Sequence, residues 1–430
     1  MDIASLYATF QKSKGICTDT RNFKKGVIFF ALHGANFDGN NFAEKALADG
    51  ALAVVIDNPQ LPMKGKEVFL VKDTLKTLQQ LATYHRQQLK TPLLSLTGSN
   101  GKTTTKELIR AVLSQHYKVL ATEGNLNNHI GVPLTLLKLD STHQLGIIEM
   151  GANHPGEIAQ LCEIAQPNWG YITNFGKAHL EGFGGIQGVI RSKSEMYRYL
   201  IENNQNILIN ADDKEQLKQI KDYKVVSFGR AKEADFQWEE IPHQEKLTIR
   251  FQNQNYTSSL YGSYNLNNLA AALAFGTLFK LTPEEAQKGI SNYEADNNRS
   301  QQIRIQNRQF VLDAYNANPS SMQVALEEFA KNKSSMKAVI LGDMKELGNV
   351  SPQEHLFILE ICLDLPLTHI FTIGPNFYET KLNDQRISKF TTLDAFTKHL
   401  QLNPWKYDAA LIKGSRALAL EKLIPFFKNS

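Results

Sequence analysis

The segment Leu93–Leu113 constrains this chain more than any other. Leu93-Leu94-Ser95-Leu96-Thr97 is an apolar run of strand type, Gly98-Ser99-Asn100-Gly101 is a glycine-bounded turn, and Thr103 to Leu113 has helical spacing. Leu108, Ile109, Val112 and Leu113 supply the apolar face of that helix. Strand, glycine turn and helix in this order form a cradle for a polyphosphate. The glycines let backbone N–H groups face the anion, and the helix N-terminus adds a positive dipole end. Lys102 reaches the β- and γ-phosphates, Thr103 offers a hydroxyl to magnesium, and Thr104 continues the turn. Leu96 stands where the common form of this loop has glycine, so the loop is the shorter G-x-x-G-K-T. ATP with Mg²⁺ is therefore the expected ligand.

The chain has 430 residues, which predicts two or three domains. Hydrophobic residues make up 42% and charged residues 21%, a globular balance. The net charge of +4 comes from interspersed charges with no basic arm, which argues against nucleic acid as a partner. The start, Met1 to Lys14, lacks a charged head followed by an apolar stretch, and runs such as Ala51–Ile56 are too short to span a bilayer. Cys17, Cys162 and Cys362 share no metal-type spacing and read as buried thiols of a reducing cytoplasm.

A first unit, residues 1–88, has strands at Val27–Leu32 and Ala51–Ile56, a helix over Asn41–Asp49, and another from Thr74 that Thr91-Pro92 stops. A second, 89–297, alternates helices with strands at Leu93–Thr97, Gly146–Met150, Gly170–Thr173 and Asn206–Asn210, ending with an Ala-rich helix over Ala270–Leu281. The polar stretch Asn292–Gln302 reads as a hinge. The third, 298–430, has strands at Phe310–Asp313, Ala338–Gly342, Ile370–Gly374 and Ala409–Ile412, with a helix over Ser321–Ala330. The expected class is α/β in three domains.

Several polar positions follow the loop. Gly124-Asn125-Leu126-Asn127-Asn128 is a glycine-led loop before Pro133. Glu149 ends an apolar strand, where a carboxylate can meet Mg²⁺ at the switch point of a parallel sheet. His179 follows the strand at Tyr171–Asn174, and Lys193 lies in a helix with Glu195. Taken singly, each has a bland reading: a surface loop, a solvated strand end, a structural histidine, a solvated lysine. Their order behind a phosphate loop is what makes them a candidate site.

In that order the chain resembles the Mur ligases. The resemblance runs through Asp19-Thr20-Arg21, Phe37-Asp38-Gly39, the loop at Gly98–Thr103, Gly124–Asn128, Glu149-Met150-Gly151, Ala178–Gly184, Asp313–Pro319, Gly342–Gly348 and Lys413–Arg416. The segments Tyr315–Pro319 and Gly342–Gly348 look like the branch that adds D-alanyl-D-alanine to UDP-N-acetylmuramoyl-tripeptide.

The resemblance implies a small N-terminal UDP-binding domain, a central ATPase domain and a C-terminal Rossmann-like domain that binds the dipeptide. It places Asp19, Thr20 and Arg21 at the UDP end, and Asn125, Asn127 and Asn128 among the substrate contacts. Thr103 and Glu149 would hold one Mg²⁺ and His179 a second. Lys193 matches a lysine that the family carbamylates: a neutral amine plus CO₂ becomes an anionic oxygen donor, which needs a lowered lysine pKa. Asn265 and Asn268 match the adenine-side asparagines, Tyr264 stands where many relatives have histidine, and Arg299 matches an arginine that reaches the phosphates. Asp313, Tyr315, Asn316, Asn318 and Lys413 would surround the dipeptide.

The implied reaction passes through an acyl phosphate, with closure about residues 292–302 to exclude water, in a monomeric cytoplasmic enzyme. The alternatives are another Mur-type or folylpolyglutamate-type ligase and a non-catalytic nucleotide-binding regulator. The third-residue ligases carry Asp-Asn-Pro-Arg; the Asp57-Asn58-Pro59 here is followed by Gln60 and lies in the first unit. Residues 1–88 argue against the folylpolyglutamate type.

Overall fold

The computed structural model describes residues 2–34, 36–63, 65, 67–242, 246–295 and 298–428. Asp296 and Asn297, within the expected hinge, lie outside the described residues.

Three larger sheets organise the chain. The first is parallel, in the order Ile16–Cys17, Ile28–Phe30, Ala53–Ile56, Val68–Leu70. Its central strands are wholly buried, as β-branched and aromatic runs flanked on both faces should be. Helix Thr74–Gln88 starts at Asp73, whose carboxylate accepts from the Lys76 N–H. It leans on the next unit as much as on its own: Gln79 donates to the His129 carbonyl, His85 Nε2 bonds the Leu139 carbonyl and Arg86 donates to that of Ala165.

The second sheet runs Gln254–Ser258, Leu247–Phe251, Phe236–Glu240, Val226–Gly229, Asn206–Asn210, Trp169–Ile172, Leu93–Thr97, Leu145–Glu149, Val119–Ala121. It is parallel except for the hairpins at Phe236–Ser258, which break the expected all-parallel pattern. Leu93–Thr97 sits between Trp169–Ile172 and Leu145–Glu149, with Leu96 opposite Glu149 and Thr97 opposite Ile172. The phosphate loop, Glu149 and the 173–184 loop thus leave one edge of the sheet together, at the carboxyl ends of its strands. Helix Lys102–Leu113 buries Leu108, Ile109, Val112 and Leu113, as its spacing predicts, and packs on helix Leu266–Leu278.

The third sheet runs Gln301–Ile305, Arg308–Asp313, Ala409–Lys413, Lys337–Gly342, His369–Ile373, Ile387–Phe390, parallel but for the first strand. The expected hinge is shorter than its polar composition suggests. Asn292 caps helix Pro283–Ser291, and Gln301 and Gln302 already pair with Leu312 and Val311. An antiparallel edge strand needs only one apolar face, so polar alternation there does not mean irregular chain.

A single apolar cluster runs through all three units, from Leu6 and Leu81 through Met150 and Val189 to Met322, Leu347 and Ile370. Lys193 and Glu195 do not share a helix. Ile186–Lys193 ends at Ser194, and Glu195–Glu202 begins there.

Candidate active site

Gly98 and Gly101 shape the loop. Both have left-handed backbone, φ +146° and +79°. A methyl on Gly98 would lie 1.9 Å from Thr173 Oγ1, and one on Gly101 would lie 2.9 Å from Asn268 Oδ1. The loop is fastened to the next strand end: Asn174 accepts from the Ser99 and Asn100 N–H groups through its carbonyl and carboxamide oxygens, and Thr173 Oγ1 donates to the Asn100 carbonyl. Lys102 Nζ folds onto the loop, donating to the Gly98 carbonyl at 2.7 Å. Its pKa is lowered, chiefly by burial.

Glu149 is buried, 1% exposed. Its Oε1 accepts from Asn127 Nδ2 at 2.8 Å and from Thr103 Oγ1 at 3.3 Å. Its Oε2 is buried without a hydrogen-bond partner among the described residues. A carboxylate oxygen left over beside a hydroxyl and a phosphate cradle fits a small divalent cation. Among the described residues no three His, Cys, Asp or Glu side chains form a metal cluster. Magnesium takes one or two carboxylates and completes its shell with phosphate and water.

His179 has left-handed backbone (φ +53°), as does Glu346 (φ +61°), and the two meet as Nδ1 and Oε2 across the boundary between the second and third sheets. The Glu181 N–H bonds the Glu346 carbonyl at 3.2 Å. Lys193, read singly as a solvated lysine, is instead 0% exposed; its Nζ has no hydrogen-bond partner among the described residues and lies 5.5 Å from the Phe183 ring centre. Burial foremost, and then the charge of Lys102, hold its pKa well below the ordinary lysine value.

From the third unit come Asp313 and Lys413, on paired strands, joined Oδ2 to Nζ at 2.5 Å. Lys413 also approaches the Asn316 carbonyl. The Arg299 guanidinium lies 3.7 Å from the Tyr315 ring centre, a stacked cation–π contact. Asn318 Nδ2 donates to Asn100 Oδ1 at 2.7 Å.

These groups enclose one cavity of about 730 Å³ between the second and third sheets. It is lined by Ser99, Asn100, Gly101, Lys102, Thr103, Thr104, Asn125, Asn127, Asn128, Glu149, His179, Asn265, Asn268, Arg299, Asp313, Tyr315, Asn316, Asn318 and Lys413. Gly98 and Lys193 are not on its wall, nor are Asp19, Thr20 and Arg21. Those three lie in the first unit, where Arg21 donates to the Asp19 carboxylate at 2.6 Å and holds its pKa down at about 2. Asn128 is partly committed to the backbone, accepting from the Ile130 and Gly131 N–H groups.

Asn174, Glu346 and Glu157 were missed as site residues. Asn174 lines the cavity and fastens the loop, Glu346 meets His179, and Glu157 lines the cavity beside them. Glu346 stands in the segment Gly342–Gly348, but nothing in its spacing signals His179.

Three family models match the chain: the Mur ligase family catalytic domain over residues 12–86, the Mur ligase middle domain over 96–276, and the Mur ligase glutamate ligase domain over 298–416. The chain belongs to the Mur ligase family. A Bacillus subtilis (strain 168) protein named UDP-N-acetylmuramoyl-tripeptide–D-alanyl-D-alanine ligase is 34% identical over 422 residues, covering 95% of this chain and 92% of that protein. A crystal structure of MurF from Acinetobacter baumannii superposes with a TM-score of 0.88 at 31% identity, covering 100% and 98% of the two chains. MurF ligase from Thermotoga maritima, solved in complex with ADP, superposes with a TM-score of 0.86 at 26% identity, covering 98% of each.

Proposed function

We propose that this chain is the ATP-dependent ligase that joins D-alanyl-D-alanine to UDP-N-acetylmuramoyl-tripeptide, giving the pentapeptide precursor of peptidoglycan, ADP and phosphate. The observation that carries this reading is the shared cavity. Its walls bring the phosphate loop of one unit against Asp313, Tyr315, Asn316, Asn318 and Lys413 of another. A ligase needs its phosphoryl donor and its second substrate within one dry space.

In the proposed reaction the tripeptide carboxylate attacks the γ-phosphorus in line, releasing ADP and leaving an acyl phosphate. Lys102 and Arg299 face the charge that spreads over the transferring oxygens. The dipeptide's free amine attacks the acyl carbon, and the tetrahedral intermediate collapses to amide and phosphate. Asp313 and Lys413, already paired, offer one charge of each sign to a zwitterionic dipeptide. Asp19, Thr20 and Arg21 are assigned to the UDP end.

Thr103 and Glu149 would hold Mg²⁺, which neutralises phosphate charge when bound. His179 and Lys193 are assigned to a second ion, with Lys193 as its carbamate. The buried, partnerless amine with its lowered pKa supports that assignment, because only a neutral amine adds CO₂. Cys17, Cys162 and Cys362 are free and buried, which suits a cytoplasmic enzyme, and no described helix is long and apolar enough to cross a membrane.

The test is phosphate release from ATP, with expected dependence on both UDP-muramoyl tripeptide and D-alanyl-D-alanine. Turnover indifferent to either substrate would sink the reading. Lys193→Ala should lose activity and regain part of it with added short carboxylates.

A further inference from the structure

The segment Gly262–Asn268 faces two ways. On one side Asn268 Oδ1 accepts from Thr105 Oγ1 at 2.9 Å, in the helix that follows the phosphate loop, and Asn268 Nδ2 donates to Asn265 Oδ1 at 2.8 Å. On the other side two consecutive side chains reach into the third unit. Ser263 Oγ donates to Glu328 Oε2 at 2.7 Å, on helix Pro319–Ala330, and Tyr264 Oη donates to Ser300 Oγ at 2.6 Å. Ser300 is gripped again through its N–H, which donates to Asp313 Oδ1 at 3.2 Å. Asp313 in turn accepts from Lys413.

Arg299 sits between Asn298 and Ser300, whose φ values are +53° and +50°. Non-glycine residues adopt this conformation where their surroundings impose it. Here Tyr264 holds the side chain of Ser300 and Asp313 holds its backbone, so both ends of the grip fix the residue next to the arginine. The 2.7 Å bond from Ser263 to Glu328 reaches the body of the third unit, beyond the hinge, and does not survive a displacement of helix Pro319–Ala330 by even a few ångströms.

We propose that Ser263 and Tyr264 form a clasp that holds the C-terminal domain closed over the cavity and sets Arg299 through Ser300. They are positioning residues for ligation, and Tyr264 acts through its hydroxyl on Ser300 while its side chain lines the cavity beside Asn265 and Asn268. The kinetic part of this assignment rests on the ligase reading above; the geometric part does not.

The first arm measures distance in the full chain. Lys224 and Leu402 are exposed positions on the two units, and spin labels on cysteines placed there report closure with ADP and magnesium bound. The parent should give one short distance, and Ser263→Ala/Tyr264→Phe should add a longer population. An unchanged distribution overturns the clasp.

The second arm is a double-mutant cycle on Tyr264→Phe and Ser300→Ala. Each should lower kcat about fivefold, the worth of one ordinary hydrogen bond, with KM for ATP within about twofold. The double variant should be no worse than the poorer single. Multiplying effects, or a loss lying wholly in KM for ATP, overturn the assignment. A parent chain without ligase activity would refute the proposed function and leave the distance arm to decide the clasp.

Discussion

Asn318 donates its carboxamide N–H to Oδ1 of Asn100 at 2.7 Å, a bond between side chains 218 positions apart. The same carboxamide accepts from the Ser321 N–H at 2.9 Å and caps helix Pro319–Ala330. One side chain therefore starts a helix in one domain and touches the phosphate loop of another.

The two roles separate by substitution. Asn318→Asp keeps the cap acceptor but loses the donor and brings a negative charge to the phosphates. Its melting temperature should hold while kcat/KM falls at least about tenfold. Asn318→Ala should lose about 1 kcal/mol of stability as well. Equal behaviour of the two variants in thermal melts and kinetics would refute the division.

Lys193 carries a stability prediction with a defined sign. Its folded pKa lies below the unfolded value, so between the two the unfolded chain holds a proton that the folded chain lacks. This group's contribution to stability therefore rises with pH and is most unfavourable at low pH. Lys193→Met, measured without CO₂ or divalent cations, should be more stable by about 1 kcal/mol or more at neutral pH, flatten that slope, and have no ligase activity. A lower melting temperature would contradict it.

Gly98→Ala should destroy nucleotide binding. The new methyl would fall 1.9 Å from Thr173 Oγ1 at a residue with φ +146°, so the loop must move. Calorimetric titration should show ATP affinity weakened by about a hundredfold or more. Near-normal affinity would mean that the loop tolerates another path.

His85 should make the contact between the first two units sensitive to acid. Its Nδ1 pairs with the Tyr7 hydroxyl and its Nε2 with the Leu139 carbonyl, which satisfies the neutral ring, and burial lowers its pKa. The unfolded chain then takes up a proton near the ordinary pKa of about 6.5 and the folded chain only at lower pH. Stability should be fully present above that value and fall as pH drops toward the folded pKa. In His85→Gln the loss as pH falls below about 6.5 should shrink; an identical profile would assign the acid sensitivity elsewhere.

Local chemistry made much of this fold legible. Leu93–Thr97 was readable because a five-residue apolar run ends on two glycines that the structure holds at positive φ. The helix read over Ser321–Ala330 starts two residues earlier, at Pro319, because Asn318 and Ser321 cap it. The hairpins of Phe236–Ser258 were not readable, because a half-exposed antiparallel strand such as Phe236-Gln237-Trp238-Glu239-Glu240 looks like polar chain. The burial of Lys193 was not readable either. It follows from two helices meeting at Ser194, while the spacing alone gives a solvated face. Glu346 escaped for a related reason, since its meeting with His179 exists only once two domains have docked.

The cavity's shared walls also make the covalent link between its two halves a thermodynamic participant. Neither sheet encloses the site alone, so the segment from Asn292 to Ser300 sets how often the halves meet. A short tether holds its ends at an effective concentration of roughly millimolar, higher than two separate proteins of this size would reach in dilute solution. Chains severed there would be joined only by the shared apolar cluster and the bonds across it, and below the dissociation constant of the halves the rate would depend on the product of their concentrations. The intact chain needs no such encounter, and its turnover per molecule stays the same at any dilution.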